Sequence, residues 1–377
     1  MNTQWTTTRR ATVPHSRTFI FCLRFRSLVA TCVVLLLLGG NAVSAQSIAK
    51  AATTTRTLKV LSSSDSLKAL KLLHNRIDQV LGDKGLRGAD IGIAVRSLDV
   101  DKTLYVRNPS QLLTPASTTK LFSTFAAFYT LGSEYNVPTA VYTDVEKVEN
   151  GVINGNLYLV GGGDPLLTTA NIEQLAEQVR NLGIKKVTGN IYGDASYFDD
   201  ITDRYKYSGD YDEVENVSPI SALSLNRNEV TVVITSGSKP GERVRVQTVP
   251  VSDAFSFVVN ATVKGGRKSR PSISVRQSTA SNGKQIFTIS GTIPPRRTVS
   301  YNYIVSNPAL VAAGVLYSRL EASGVKIGGK SDVHTAPSAK SHVLTAFYRP
   351  LGEIAAYVNK NSDNFGAEHI FKMVGGN

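Results

Sequence analysis

The chain has 377 residues, 42% hydrophobic and 19% charged, with a formal net charge of +13. That length exceeds one ordinary compact domain, and the balance excludes both a disordered chain and a multi-span membrane protein. Both cysteines, Cys22 and Cys32, fall within the first 45 residues, so the remainder can carry no disulfide, cysteine nucleophile or thiolate metal site.

Arg9, Arg10, Arg17, Arg24 and Arg26 precede an apolar run from Leu28 to Leu38 that ends at Gly39-Gly40 and Val43-Ser44-Ala45. A charged start, a short apolar core and small residues at a cleavage site describe a secretory signal peptide over residues 1–45, with the mature chain beginning at Gln46. The competing reading, a membrane anchor, needs about 20 apolar residues, roughly twice what is present. Export to the periplasm or the outside, with cell-wall association, is therefore expected. Removing the five arginines leaves a charge of +8. In an exported protein this suits an anionic wall or membrane surface rather than nucleic acid, and simple solubility explains it equally well.

Residues 46–56 read as an Ala/Thr/Ser-rich linker. Leu67, Leu70, Leu73, Ile77 and Val80 recur at helical steps and predict a helix from Asp65 to Leu81. Ile91, Ile93 and Val95, a turn at Asp99–Lys102, then Leu104 and Val106 predict a hairpin. A mostly apolar helix, expected to be buried, starts near Ser117 and ends at Gly132.

The texture then becomes β-rich. Strands are expected at 141–145 and 152–160 around an Asn150-Gly151 turn, then at 187–192, 230–235, 244–249, 255–259, 272–275 and 286–289. One short helix, carrying Ile172, Leu175, Val179 and Leu182, interrupts them. Helical spacing returns from Pro308 to Leu320, a strand follows at 343–348, and a helix carries Leu351, Ile354, Ala355 and Val358. Ser362-Asp363-Asn364 ends it, and a last short helix carries Ile370 and Phe371.

No Gly-x-Ser-x-Gly elbow, His-Glu-x-x-His, Walker loop or dinucleotide fingerprint is present. The histidines beyond residue 45, His74, His334, His342 and His369, have no metal-ligand spacing. Neither a metal nor a cofactor is expected. Lys264 to Arg270 hold four basic residues, which read as a solvated loop tip more readily than as a wall contact.

Ser-x-x-Lys is the chemistry-bearing pattern. On a helix, positions i and i+3 share a face, so serine and lysine can touch. A lysine walled by apolar side chains loses hydration, becomes neutral more easily and can take the serine proton. The pattern starts at Ser47, Ser117, Ser236, Ser281 and Ser323, but only Ser117 opens a long apolar helix. The competing reading of Ser117 and Lys120 is a polar helix start with a solvated lysine. Ser362 and Asn364 can project a hydroxyl and an amide together, although a helix cap would use the same residues.

Together these boxes resemble the serine acyl-enzymes of the penicillin-binding proteins. Pro115 to Lys120 look like their first box, and Asn359 to Asn364 their second. Leu159 to Pro165, Val187 to Gly189 with Asp194 and Phe198, and Ser221 to Asn228 are similar to the D-alanyl-D-alanine carboxypeptidases of the penicillin-binding protein 4 type. The resemblance implies an α/β (α+β) fold, a β-lactamase/transpeptidase-like catalytic domain split by a long β-rich insertion. The expected segments are 57–132 and 307–377 around an insert at 133–306.

It also implies a D-Ala-D-Ala carboxypeptidase/endopeptidase acting on peptidoglycan stem peptides and binding β-lactams. Ser117 would be the nucleophile, Lys120 its base, Ser362 the proton relay and Asn364 a substrate ligand. The third box, Lys-Thr-Gly, does not follow Ser362, and only 13 residues follow Asn364. The chain is accordingly expected to be a C-terminally truncated member. Its alternative role is that of an impaired homologue that binds the cell wall.

Overall fold

The computed structural model describes residues 63–203, 206, 218–266, 269–337 and 341–376. The expected signal peptide and linker lie outside the described residues. Among the described residues no helix is long and apolar enough to cross a membrane. The chain divides into two units between Pro115 and Ala116.

The first unit holds helix α1 (Ser63–Leu81) and an antiparallel hairpin of β1 (Ile93–Ser97) and β2 (Lys102–Arg107). These follow the sequence expectation. The helix is tied to β2 by polar contacts as well as by packing. Tyr105 Oη donates to Asp78 Oδ1 at 2.6 Å, and His74 Nε2 donates to the Leu104 carbonyl at 2.6 Å.

The second unit begins with a 3₁₀ turn at Ala116–Thr118 that runs into α2 (Thr119–Leu131). Gly132, at φ 89°, ends the helix in a conformation that side-chain-bearing residues rarely adopt. Next come β3 (Asn136–Thr143), β4 (Val152–Ile153), β5 (Leu157–Gly161), α3 (Thr169–Asn181), β6 (Lys186–Val187) and β7 (Ile191–Asp194). The β-rich stretch continues with β8 (Glu229–Thr235), β9 (Arg245–Val249), β10 (Phe255–Val259), β11 (Thr262–Val263), β12 (Ser272–Thr279), β13 (Gln285–Ile293) and β14 (Thr298–Ile304). The chain closes with α4 (Pro308–Ala322), β15 (Lys326–Ile327), β16 (Ser331–Val333), β17 (His342–Pro350), α5 (Leu351–Asn361) and α6 (Asn364–Gly375).

The principal sheet has the order β16-β7-β5-β3-β17, parallel from β16 to β5 and antiparallel from β5 to β17. Strands from both sides of the expected boundary at 306/307 therefore lie in one sheet, because β16 and β17 join β3, β5 and β7. Helices α3 and α4 pack on this sheet and share its core with Leu157, Leu159, Ile191 and Leu316. A second core lies between β14-β8-β9 and the sheet of β10, β11, β12 and β13. Strand β8 shows how the sequence builds it. Val230, Val232 and Ile234 point inward at period two while their neighbours stay more exposed. A third core joins α2, α5 and α6 through Ala127, Leu351, Ile354, Val358, Phe365 and Ile370.

Two strand expectations change. Asn150 and Gly151, at φ 51° and 79°, do make a tight turn, closed by the Glu149–Val152 bridge. The long antiparallel partner of β5, however, is β3, which starts earlier than expected. The run 152–160 splits at Asn154-Gly155-Asn156 because Asp144 accepts hydrogen bonds from the Asn156 backbone and side chain there, at 2.7 and 2.6 Å. Of the basic residues between β11 and β12, Arg267 and Lys268 lie outside the described residues.

Candidate active site

Ser117 sits in the 3₁₀ turn immediately before α2. Ala116, just ahead of it, has φ 45°, the left-handed region that costs an L-residue energy and tends to cluster at functional sites. The turn and the first helical residues bring i and i+3 together. Lys120 Nζ donates to Ser117 Oγ at 3.1 Å. The other described Ser-x-x-Lys copies use these groups differently. Ser236 Oγ donates to the Pro294 carbonyl at 2.7 Å, Ser323 Oγ to Leu320 at 2.7 Å, and Lys284 Nζ to the Asp253 carbonyl at 2.8 Å.

The expectation of a buried α2 is corrected. Thr124 and Ala127 are buried, but Leu121 is 52%, Phe122 72%, Phe125 68% and Tyr129 83% exposed. The helix is apolar on more than one face, and among the described residues α5 and α6 pack on one side of it. Lys120 is consequently half-buried and Ser117 exposed, rather than enclosed by Leu and Phe walls.

One residue of the second box, Asn359, is tied to α2 by a side-chain hydrogen bond. Thr124 Oγ1, one turn after Lys120, donates to the Lys120 carbonyl at 2.9 Å. It accepts from Asn359 Nδ2 of α5 at 3.1 Å. Asn359 lies three residues before Ser362. Ser362 terminates α5 in the left-handed conformation, φ 55° and ψ 38°. Asp363 caps α6, with Oδ1 accepting from Gly366 N–H at 2.6 Å, and Asn364 is the first residue of that helix. Thr124 and Asn359 were not singled out in the sequence. Their signal is positional: Thr124 lies at i+4 from Lys120, and Asn359 stands inside the second box.

Behind the second box, two further sequence segments converge. Gly163 N–H donates to the Ala222 carbonyl at 2.8 Å, and a Cβ on Gly161 would lie 2.3 Å from that same carbonyl oxygen. This close approach explains the glycine run. Asp164 is buried, and burial, only partly offset by Arg349, raises its carboxyl above the usual range. Arg349 Nε reaches both of its oxygens at 2.8 and 2.9 Å, and Nη1 binds Glu353 at 2.6 Å.

His369 of α6 is fully buried. Nδ1 lies 2.8 Å from the Phe365 carbonyl, and Nε2 lies 3.0 Å from Ser224 Oγ. Burial lowers its pKa to about 4, against the opposing pull of the Phe365 and Ser221 carbonyls. It is a neutral strut between α6 and the 221–228 segment. A cavity of about 410 Å³ opens elsewhere in the second unit, lined by Asp194, Asp199, Asn307, Pro308 and His334 among others. None of Ser117, Lys120, Ser362 and Asn364 borders it.

Comparison with known proteins bears on the family and the fold. The chain matches the D-Ala-D-Ala carboxypeptidase 3 (S13) family over residues 73–377. A D-alanyl-D-alanine carboxypeptidase from an Actinomadura species is 27% identical over 312 residues, which cover 80% of this chain and 57% of that protein. The crystal structure of penicillin-binding protein 4 from Haemophilus influenzae superposes with a TM-score of 0.53 at 24% identity, over 76% of this chain and 63% of that one. A second structure of that protein, complexed with a novel β-lactam, gives 0.50 at 23% identity, over 75% and 60%. The chain thus spans less than two thirds of the length of these relatives. The likeness to the solved structures establishes the mixed α/β fold.

Proposed function

The chain belongs to the D-Ala-D-Ala carboxypeptidase 3 (S13) family, and from that premise we propose that it is a serine-type D-Ala-D-Ala carboxypeptidase/endopeptidase working through an acyl-enzyme on Ser117. The observation that carries this reading is the 3.1 Å hydrogen bond between Lys120 Nζ and Ser117 Oγ at the head of α2. Lys120 Nζ at that distance is within reach of the hydroxyl proton as Oγ attacks the carbonyl of a terminal D-Ala-D-Ala bond. The Ser117 backbone N–H is one donor for the oxyanion that forms.

Ser362 returns a proton to the leaving amine, and the Asn364 amide holds the substrate backbone. Water then releases the peptide. The Thr124–Asn359 hydrogen bond supports the pairing of the two boxes, because it ties the helix of Ser117 and Lys120 to the helix that ends at Ser362. β-Lactams are substrates of the same attack that leave the acyl group in place, consistent with the β-lactam complex of the Haemophilus influenzae relative. Neither a metal nor a cofactor enters this chemistry. In this reading the protein works outside the cytoplasm at the cell wall, after export directed by residues 1–45.

The open face of α2 beside Ser117 favours a second reading, a wall-binding homologue with impaired turnover. Release of D-alanine from a synthetic stem peptide separates the two. The enzyme reading expects release that falls at least ~100-fold in Lys120→Ala. Stem-peptide binding by the wild type with no release, in a folded protein, would favour the binding role.

A further inference from the structure

We propose that Arg227 is a positioning residue for acyl transfer, holding the Ser362-Asp363-Asn364 turn through Asp363. The inference rests on the reading of Ser362 and Asn364 as acyl-transfer residues. Asp363 stands between them, and its two carboxylate oxygens are both committed. Oδ1 accepts from Gly366 N–H at 2.6 Å, which starts α6, and Oδ2 accepts from Arg227 Nη2 at 2.6 Å. The Asp363 backbone N–H is also held, by the Val358 carbonyl at 3.0 Å. Ser362, one residue earlier, has φ 55°, a conformation an L-residue keeps only when its surroundings over-determine it. The cap fixes one side of the turn, and the guanidinium fixes the other.

Arg227 is itself mounted rigidly. Asn226, Arg227 and Asn228 have φ of 47°, 60° and 56°, three consecutive left-handed residues without a glycine. Such a turn survives because both asparagine side chains stitch it to the surrounding backbone. Asn226 Oδ1 accepts from Thr169 N–H at 3.0 Å, and its Nδ2 donates to Thr169 Oγ1 at 2.7 Å. Asn228 Oδ1 accepts from Leu225 N–H at 3.1 Å, while Nδ2 donates to Ser224 Oγ at 2.9 Å and to the Pro219 carbonyl at 2.7 Å. The guanidinium lies 5.0 Å from the centroid of the Phe365 ring, the residue after Asn364. A planar cation held by a carboxylate and an aromatic face has its orientation set by both. The Arg227 side chain is 40% exposed and that of Asp363 only 11%, so the pair is partly desolvated, and local backbone strain is invested in aiming it.

Displacement of a reacting group by about 1 Å costs on the order of 100-fold in rate. The test measures penicillin acylation of the full chain under saturating conditions, well below the melting temperature, and resolves the limiting acylation rate from the non-covalent binding constant. Arg227→Ala is expected to lower the limiting rate ~10- to 100-fold with little change in binding. Arg227→Lys should recover part of it. Asp363→Asn keeps a capping side chain but loses the ion pair, so it should fall equally, and the double variant should be no slower than the slower single one.

Wild-type rates in folded Arg227→Ala, or a loss that follows the folded fraction alone, would overturn the positioning role and leave the proposed function intact. A wild-type chain that is never acylated would remove the proposed function and this role with it. If Arg227→Ala does not fold, Arg227→Lys and Asp363→Asn carry the same comparison.

Discussion

Two helices of the second unit, α2 and α4, are similar in length and apolar character and have opposite surroundings. Every residue of α4 from Pro308 to Leu316 is buried, together with Leu320: Ala309, Ala312, Ala313, Val315, Leu316 and Leu320 in the core of the principal sheet, and Leu310 and Val311 in the second core. In α2 two residues are buried, and Phe125 and Tyr129 stack at 6.1 Å between centroids on its open side. Apolar composition on all sides states a demand for burial. Whether the demand is met depends on which elements reach the helix. Around α4 the chain completes its own core, whereas α2, which carries Lys120 and follows the turn of Ser117, is covered by the described residues on one side.

The sharpest way to break that contrast is at the buried ion pair that fastens the scaffold. Arg349→Ala leaves the Asp164 carboxylate buried without its cation and should cost about 3–5 kcal/mol in denaturant unfolding. A change below about 1 kcal/mol would show that the pair is solvated in solution.

The contrast itself is measured by truncating one residue in each helix. Leu316→Ala should cost about 2–5 kcal/mol, because its side chain is fully buried. Phe122→Ser, at an exposed position, should stay within about 0.5 kcal/mol. Equal losses would mean that α2 is as enclosed as α4.

Acid should loosen the contact between α6 and the 221–228 segment. His369 binds its proton near pH 4 when folded and near 6.5 when unfolded. Between those values the unfolded state holds more protons, so stability falls as pH drops through the window, by on the order of 3 kcal/mol in total. His369→Gln should flatten that part of the pH profile in thermal unfolding. An unchanged slope would show that other groups carry it.

Much of the architecture was legible because local chemistry and tertiary packing agree. The helix from Pro308 is announced by its N-terminal proline and capped by Asn307, whose Oδ1 accepts from Leu310 N–H at 3.2 Å. The strand at 230–235 declares its buried face by alternation. Other features depend on partners distant in sequence. The short strands β15 and β16 exist because they extend β6 and β7 in parallel, and two- or three-residue segments carry no periodicity of their own. The 298–304 run was missed although it pairs along β8 over seven positions. The contact of Ser117 with Lys120 was legible because it is local. Arg227 was not, because it meets Asp363 136 residues away, and the only local hint is a charge between two asparagines.

The most direct test of Ser117 as an acylated nucleophile is intact-mass spectrometry of the full chain after incubation with benzylpenicillin, followed by peptide mapping. A single adduct of the drug's mass is predicted on the peptide containing Ser117, absent from Ser117→Ala, with unfolding temperatures of the two proteins alike. An adduct on another residue, an equal adduct on Ser117→Ala, or no adduct on the folded wild type would contradict it.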